Sequence, residues 1–252
     1  MKTVAKPEYG NWVSNRIIYG AVIIGVVFVG AGLFYPLLDV AAAVSLLVAA
    51  YFAYARFRFS PSGGDVQGKI LDLVLSHLDW DGEGCALDIG CGNGSLVIKL
   101  ARSRPGSRVV GIDYWGGSWG YSKAMCEKNA QIEDAADRVS FQKASASSLP
   151  FEDGYFDAVV SNLVFHEVRD AADKREVIRE GLRVLRKGGS FAFQDLFLLK
   201  GAFGDIDELI ESVRSWGVAK VEFIPTRDSP FIPRLLKLPF MVGTIGILFG
   251  EK

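Results

Sequence analysis

The chain has 252 residues, 50% of them hydrophobic and 23% charged, with 28 basic against 29 acidic side chains. That length buries a real core, that composition excludes a disordered chain, and a formal net charge of −1 excludes the electrostatic footprint of a nucleic-acid binder. Cys85, Cys91 and Cys126 form no CxxC pair and the histidines are His77 and His166 alone, so a disulfide framework, a structural zinc site and a histidine-rich metal centre are excluded as well.

The mean hydropathy of +0.23 is high for an enzyme, and the excess lies at the N-terminus. No charged residue occurs from Ile17 to Leu38, and after Asp39 none until Arg56. As helix this stretch would run roughly 58 Å, close to twice the hydrocarbon thickness of a bilayer. Phe34-Tyr35-Pro36-Leu37-Leu38-Asp39 in its middle carries an aromatic pair, a proline and an acid, as a turn at an interface does. The pattern predicts a transmembrane hairpin with helices at about 17–35 and 38–55, with Ala42, Ala43, Ala49 and Ala50 permitting close packing. Lys2, Lys6 and Arg16 precede it and Arg56 and Arg58 follow it, so the positive-inside rule places both ends on the cytoplasmic side of the cell membrane. A cleaved signal peptide and a soluble helical pair are the competing readings; the run is too long for the first and lacks a polar face for the second. The domains expected are an anchor over 1–58 and a globular domain over 59–252.

Beyond residue 56 the chain is ordinary, with 24 basic and 27 acidic residues. Ser60-Pro61-Ser62-Gly63-Gly64 reads as a linker. Val66–Leu78 is amphipathic, with Ile70, Leu73, Val74 and His77 at helical spacing, His77 as a core histidine. Short apolar runs bounded by Gly, Asp and Pro follow at Cys85–Ile89, Arg108–Ile112, Val139–Gln142, Phe156–Ser161 and Ser190–Gln194. Between the last two, Lys174–Arg186 is the clearest helix, stopped by Gly188-Gly189. Ala219–Ile224 and Gly243–Phe249 can close the sheet. The alternation predicts an α/β fold with a doubly wound, mostly parallel seven-stranded sheet.

Leu87-Asp88-Ile89-Gly90-Cys91-Gly92-Asn93-Gly94 joins a buried strand to a helix, and its glycines allow a ligand close to the backbone. The nicotinamide fingerprint needs Gly or Ala where Ser95 stands, so a dehydrogenase is disfavoured. Together with Gly111-Ile112-Asp113, with Leu149-Pro150-Phe151 before Phe156-Asp157, and with Arg183-Val184-Leu185-Arg186-Lys187-Gly188-Gly189, this loop resembles the class I (Rossmann-like) S-adenosylmethionine-dependent methyltransferase family over roughly residues 64–195. Lys187 stands where that family usually has proline.

The resemblance implies S-adenosylmethionine as cofactor. It implies Asp88 near the methionine end, Gly90, Cys91 and Gly92 against the cofactor through backbone, Asp113 on the ribose hydroxyls and Asn162 beside the reacting centre. Family members often carry Gly-Asp-Ala before Leu-Pro-Phe, the Asp taking the adenine amino group. This chain has Ala144-Ser145-Ala146, where Ser145 accepts more weakly and the Ala146 backbone with Tyr114 holds the ring. Cys91 is then a small packing residue, and Cys85 and Cys126 are core residues. His166 is the candidate general base, with loop orientation as its structural alternative, and Asp195 is a candidate substrate contact. Tyr114-Trp115-Gly116-Gly117-Ser118-Trp119-Gly120-Tyr121 caps the cofactor, walls the acceptor or simply packs as a loop. The apolar segment 231–241, with Arg234 and Lys237, suits a membrane interface or a buried lid. The expected function is a membrane-anchored methyltransferase for a hydrophobic small-molecule or lipid acceptor; the alternative is a non-catalytic membrane-tethered scaffold or sensor that binds the cofactor or its product.

Overall fold

A computed structural model of the chain describes residues 5–116 and 120–252. The protein forms two compact units, one spanning Gly10–Ile70 and the other Leu71–Lys252 together with residues 5–9. In the first, α1 covers Asn15–Gly32 and α2 covers Leu38–Phe59. Both are long and apolar enough to cross a membrane by length and composition.

Their limits differ from the expected ones for local reasons. The Ser14 hydroxyl accepts from the Arg16 N–H and starts α1 early, while Phe34 and Tyr35 both turn their N–H groups back to the Ala31 carbonyl and so lie outside it. At the other end α2 runs on to Phe59, placing Arg56 and Arg58 in its last turn, where cations suit the helix dipole. Pro61 then prevents continuation. The expected linker is an ordered turn: the N–H groups of Gly63 and Asp65 both bond the Ser60 carbonyl.

The contact between the two helices is made of small residues. Gly25 and Gly32 of α1 and Ala42 and Ala49 of α2 are buried, each pair one heptad apart, whereas Ala43 and Ala50 face outward. A Cβ at Gly25 would lie 2.9 Å from Leu46 Cδ2, so a larger residue there forces the helices apart.

The second unit is built on a seven-stranded sheet of order β3-β2-β1-β4-β5-β7-β6. Its strands are β1 (Cys85–Ile89), β2 (Arg108–Asp113), β3 (Val139–Lys143), β4 (Phe156–Asn162), β5 (Leu185–Asp195), β6 (Lys220–Pro225) and β7 (Gly246–Glu251). β1 to β5 run parallel, and β7 lies antiparallel between β5 and β6. The helices are α3 (Val66–Ser76), α4 (Ser95–Ser103), α5 (Lys123–Ile132), α6 (Lys174–Arg183), α7 (Lys200–Phe203) and α8 (Ile206–Ser215). Phe156, Phe165, Phe191, Phe193, Phe197 and Phe203 are fully buried and join Val177, Ile178 and Leu182 of α6 in one core. His77 falls just past α3, half-buried, its Nδ1 2.8 Å from the Leu73 carbonyl and its ring 4.5 Å from that of Phe249.

The helix expected to reach Arg186 ends at Arg183. The carbonyls of Arg183 and Val184 are claimed by the N–H groups of Gly154 and Phe156, and the Lys252 ammonium covers those of Leu182 and Leu185 at 2.8 Å each. Gly188 and Gly189 therefore lie in an irregularity of β5, between the pairings Phe156↔Leu185 and Ala158↔Ser190.

Arg183 also explains why two separated stretches of the sequence belong together. Its guanidinium donates to the Phe151 carbonyl at 2.9 Å and the Leu149 carbonyl at 3.1 Å and pairs with Glu180 and Asp153, while Glu180 accepts the Leu149 N–H at 2.7 Å. The turn before β4 is thus latched to α6. Arg183→Met should lower stability by about 2–3 kcal/mol, since it strands two carbonyls and an acid. A melting curve checks this, and an unchanged Tm rejects the latch.

Candidate functional site

The carboxyl ends of the parallel strands form one edge, and the order in which successive strands are added switches sides between β1 and β4, the place where α/β sheets bind ligands. The register aligns Ile89 with Ile112 and Ser161, Asp113 with Lys143, and Asn162 with Gln194. Between β1 and α4 the loop bends through Gly90 at φ +74° and Gly92 at φ +57°. The N–H groups of Gly90 and Cys91 both bond the Ile112 carbonyl at 2.8 Å. A Cβ on Gly90 would come 2.2 Å from Val164 Cγ2, and one on Gly92 would come 3.3 Å from the Tyr121 ring, so only glycine suits both conformation and space.

Asp113 ties this loop to the next. One carboxylate oxygen accepts the Gly92 N–H at 2.9 Å and the other accepts the Trp115 N–H at 2.7 Å. The Trp115 indole and the Cys126 thiol in turn donate to the Gly92 carbonyl at 2.8 and 3.1 Å. A carboxylate offers about four lone-pair sites, so Asp113 keeps capacity for two hydroxyls. Asp88 is only 1% exposed and its Oδ2 has no hydrogen-bond partner. Burial drives its pKa well above the usual carboxylate range; the Val97 N–H opposes this and the charge of Asp113 adds to it. Cys91 is buried with its sulfur against Gly111, and burial together with Cys126 pushes its thiol pKa up, which makes it a packing residue and a poor nucleophile.

At the ends of β4 and β5 stands a dyad. His166 Nδ1 lies 2.6 Å from Asp195 Oδ1. Asp195 is fully buried and also accepts the N–H groups of Val164 at 3.1 Å, Phe165 at 2.7 Å and Leu196 at 2.6 Å. Burial works to lower the His166 pKa, but the hydrogen bond and charge of Asp195, with Glu167 adding, outweigh it and raise the value above 6.5. The half-buried Asn162 next to it leaves its Oδ1 unpartnered, and both side-chain atoms of the fully buried Gln194 are unpartnered too.

The other expected contacts lie toward β3. Tyr114 is exposed with the Lys143 ammonium 5.0 Å above its ring, Ala146 is buried, and Ser145 donates to Asp170 at 2.8 Å. Sequence reasoning named Asp195 without its pairing to His166 and missed the Asp170 contact and the N-terminal contribution. Glu8 bonds Asn129 and Asn93 through its backbone, at 2.8 and 3.2 Å, so residues assigned to the anchor touch the glycine loop. Gly117, Ser118 and Trp119 of the aromatic loop lie outside the described residues. In segment 231–241, Ile232 and Leu236 are buried while Leu235, Leu238 and Phe240 are exposed, so it is partly buried and partly surface.

The residues fit the expected cofactor on the structure's own terms. A buried unpartnered carboxylate oxygen on Asp88 suits a cationic ligand group, and the spare acceptor capacity of Asp113 suits a ribose diol.

Comparison with known proteins agrees. A family profile described as a methyltransferase domain matches residues 87–193. The 27-O-demethylrifamycin SV methyltransferase of Amycolatopsis mediterranei is 35% identical over 55% of this chain and 47% of its own length; the chain spans about half the length of the first relatives it matches. The ubiquinone/menaquinone biosynthesis C-methyltransferase UbiE of Desulfotalea psychrophila is 30% identical over 71% of this chain and 78% of its own. The geranyl diphosphate C-methyltransferase of Streptomyces coelicolor, solved with Mg²⁺, geranyl diphosphate and S-adenosyl-L-homocysteine, superposes with a TM-score of 0.57 at 15% identity, covering 75% of this chain and 80% of that one, and shares the fold. The match to the UbiE relative over most of both lengths, the profile and the fold together show that the chain belongs to the class I, Rossmann-like S-adenosylmethionine-dependent methyltransferase family.

Proposed function

We propose that the protein is a membrane-anchored methyltransferase that transfers a methyl group from S-adenosylmethionine to a hydrophobic small molecule or lipid, with His166 as general base. The observation that carries this reading is the His166–Asp195 dyad on the same strand-end edge as the glycine loop. With Nδ1–H donated to Asp195, the lone pair of a neutral imidazole is left on Nε2, which lies 3.9 Å from Glu167 Oε1, to take a proton from the acceptor. The bound cofactor supplies an electrophilic methyl on a sulfonium. Asp88 faces the cationic methionine end, the loop Gly90, Cys91 and Gly92 lies along it through backbone, and Asp113 takes the ribose hydroxyls. Tyr114, Ser145 and Ala146 surround the base, and Asn162 orients the reacting centre.

The apolar acceptor is supported by what relatives act on, namely quinones, a rifamycin and a prenyl diphosphate by their names. It is also supported by two helices whose Val26, Val27, Val40 and Leu47 are exposed, as lipid-facing side chains are. Arg16 in the first turn of α1 and Arg56 and Arg58 in the last turn of α2 favour a cell-membrane hairpin with the catalytic unit and both ends cytoplasmic. The full chain in detergent micelles, given methyl-labelled cofactor and extracted membrane lipids, should place label in an organic-soluble product. Cofactor binding without label in any extract would replace this reading with the non-catalytic sensor.

Burial of Asp88 sets the pH dependence of cofactor binding. Its pKa is raised in the free protein and a cationic ligand favours the ionised form, so binding releases a proton and affinity rises with pH until Asp88 is already ionised. Calorimetry in buffers of different ionisation heat reads that proton directly; buffer-independent heats reject this role of Asp88.

A further inference from the structure

The end of β3 carries a polar group that the site description leaves unused. Ala144 N–H bonds the Asp113 carbonyl at 3.1 Å, which fixes the following residues beside the end of β2. There the hydroxyls of Ser145 and Ser147 both donate to the same oxygen of Asp170, at 2.8 and 2.6 Å. Asp170 arrives from the crossover between β4 and α6, far from β3 in sequence. The Ser145 oxygen also takes the Ser147 N–H at 3.3 Å and lies 2.9 Å from the Ser147 oxygen, so with both hydroxyl hydrogens turned onto the carboxylate the open acceptor capacity of the cluster is chiefly that of Asp170. The two hydroxyl bonds, Ser147 first, hold the Asp170 carboxyl below the usual range, so it is ionised at neutral pH. Among the described residues no ion pair closes on it: the adjacent Arg169 makes none, and Lys174, whose charge also helps to keep the carboxyl ionised, directs its ammonium at the carbonyls of Val168 and Ala171.

An exposed all-acceptor cluster costs little in water, but it selects strongly for a donor brought against it. The position says which donor. Asp113 on β2 is the ribose acid of the proposed site, and the sheet order puts β3 outside β2, on the side away from β1 where the glycine loop begins. The heterocycle carried by that ribose extends toward β3, where Tyr114 and Ala146 also lie. We infer that Asp170, presented by Ser145 and Ser147, is the acceptor for the exocyclic amino group of the cofactor's 6-aminopurine. The carboxylate comes from the β4–α6 crossover because the β3 end supplies only hydroxyls. The inference rests on the proposed cofactor site. It differs from a simple loop staple, in which the same three side chains would only hold the crossover against β3.

Base discrimination separates the two. The probes are S-adenosylhomocysteine and its deaminated analogue S-inosylhomocysteine, titrated calorimetrically into the full chain in detergent micelles. The deaminated base replaces the amino donor with a carbonyl, so the native protein should bind it at least about tenfold more weakly. Asp170→Asn should lose most of that preference by binding the adenosyl compound more weakly, with its melting curve unchanged because Asp170 is exposed. Ser145→Asp combined with Asp170→Asn should restore the preference by returning a carboxylate to the same place. An Asp170→Asn variant that keeps both the native affinity and the native preference overturns the inference and leaves the staple. Failure of the native protein to bind S-adenosylhomocysteine at all overturns the cofactor site itself, a different result from the first.

Discussion

Replacing His166 with glutamine is expected to lower kcat for methyl transfer by about 10²- to 10⁴-fold, the span typical of losing a general base, while cofactor affinity changes little. Glutamine retains a hydrogen-bonding group of similar reach but cannot take a proton, so the variant separates proton transfer from loop orientation. Asp195→Asn should reduce kcat less and move the pH profile. In the native protein Asp195 raises the His166 pKa, so the acidic limb of kcat/KM lies above about 6.5 and the rate climbs as His166 loses its proton. Without the charge of Asp195 that limb shifts to lower pH. Stability follows the opposite sense: a pKa raised by folding stabilises the protein fully below the unfolded value of about 6.5 and ceases to do so as pH rises through the folded value. A His166→Gln enzyme with normal kcat would reduce the dyad to a device that orients the loop Val164–Phe165, whose N–H groups Asp195 already holds.

The parallel sheet was legible because each central strand is a short apolar run with marked ends. Cys85–Ile89 is bounded by Gly84 and Gly90 and matches residue for residue. The end of α6 was not legible, because what stops it is the partner that the Arg183 carbonyl finds in the distant turn before β4, while the glycines that looked like a stop lie within β5. Single side chains of the site could be named from their motifs, but their pairings could not. His166 and Asp195 meet because β4 and β5 are neighbours with a register that ends them together, and nothing in either local sequence marks the other. The same holds for Ser145 with Asp170. Residues 5–9 were read with the anchor because a short polar flank before an apolar helix looks alike whether it is solvated or docked; the Asn129 side chain, fully buried and bonded to Glu8, is what docks it.

Asp113→Asn should weaken cofactor binding by about 10²-fold or more, a loss of roughly 3 kcal/mol assembled from two sources. The first is internal. Both oxygens of Asp113 accept backbone N–H groups, from Gly92 and from Trp115, and an amide offers only one acceptor oxygen. Whichever way the Asn side chain turns, its NH₂ faces an N–H, and either the glycine loop or the aromatic loop is released. The second is the ligand's. The side of the carboxylate left for a ribose diol loses its charge and half its acceptor capacity. Overall stability should fall much less, because Val109 to Ile112 remain paired with β1 and β3 on both sides and the core beneath them is untouched. Calorimetric titration alongside a melting curve therefore tells a site defect from a folding defect. Affinity preserved in Asp113→Asn with the same Tm would mean that Asp113 only braces the two loops, and that the ribose, if it binds here, is held by other groups.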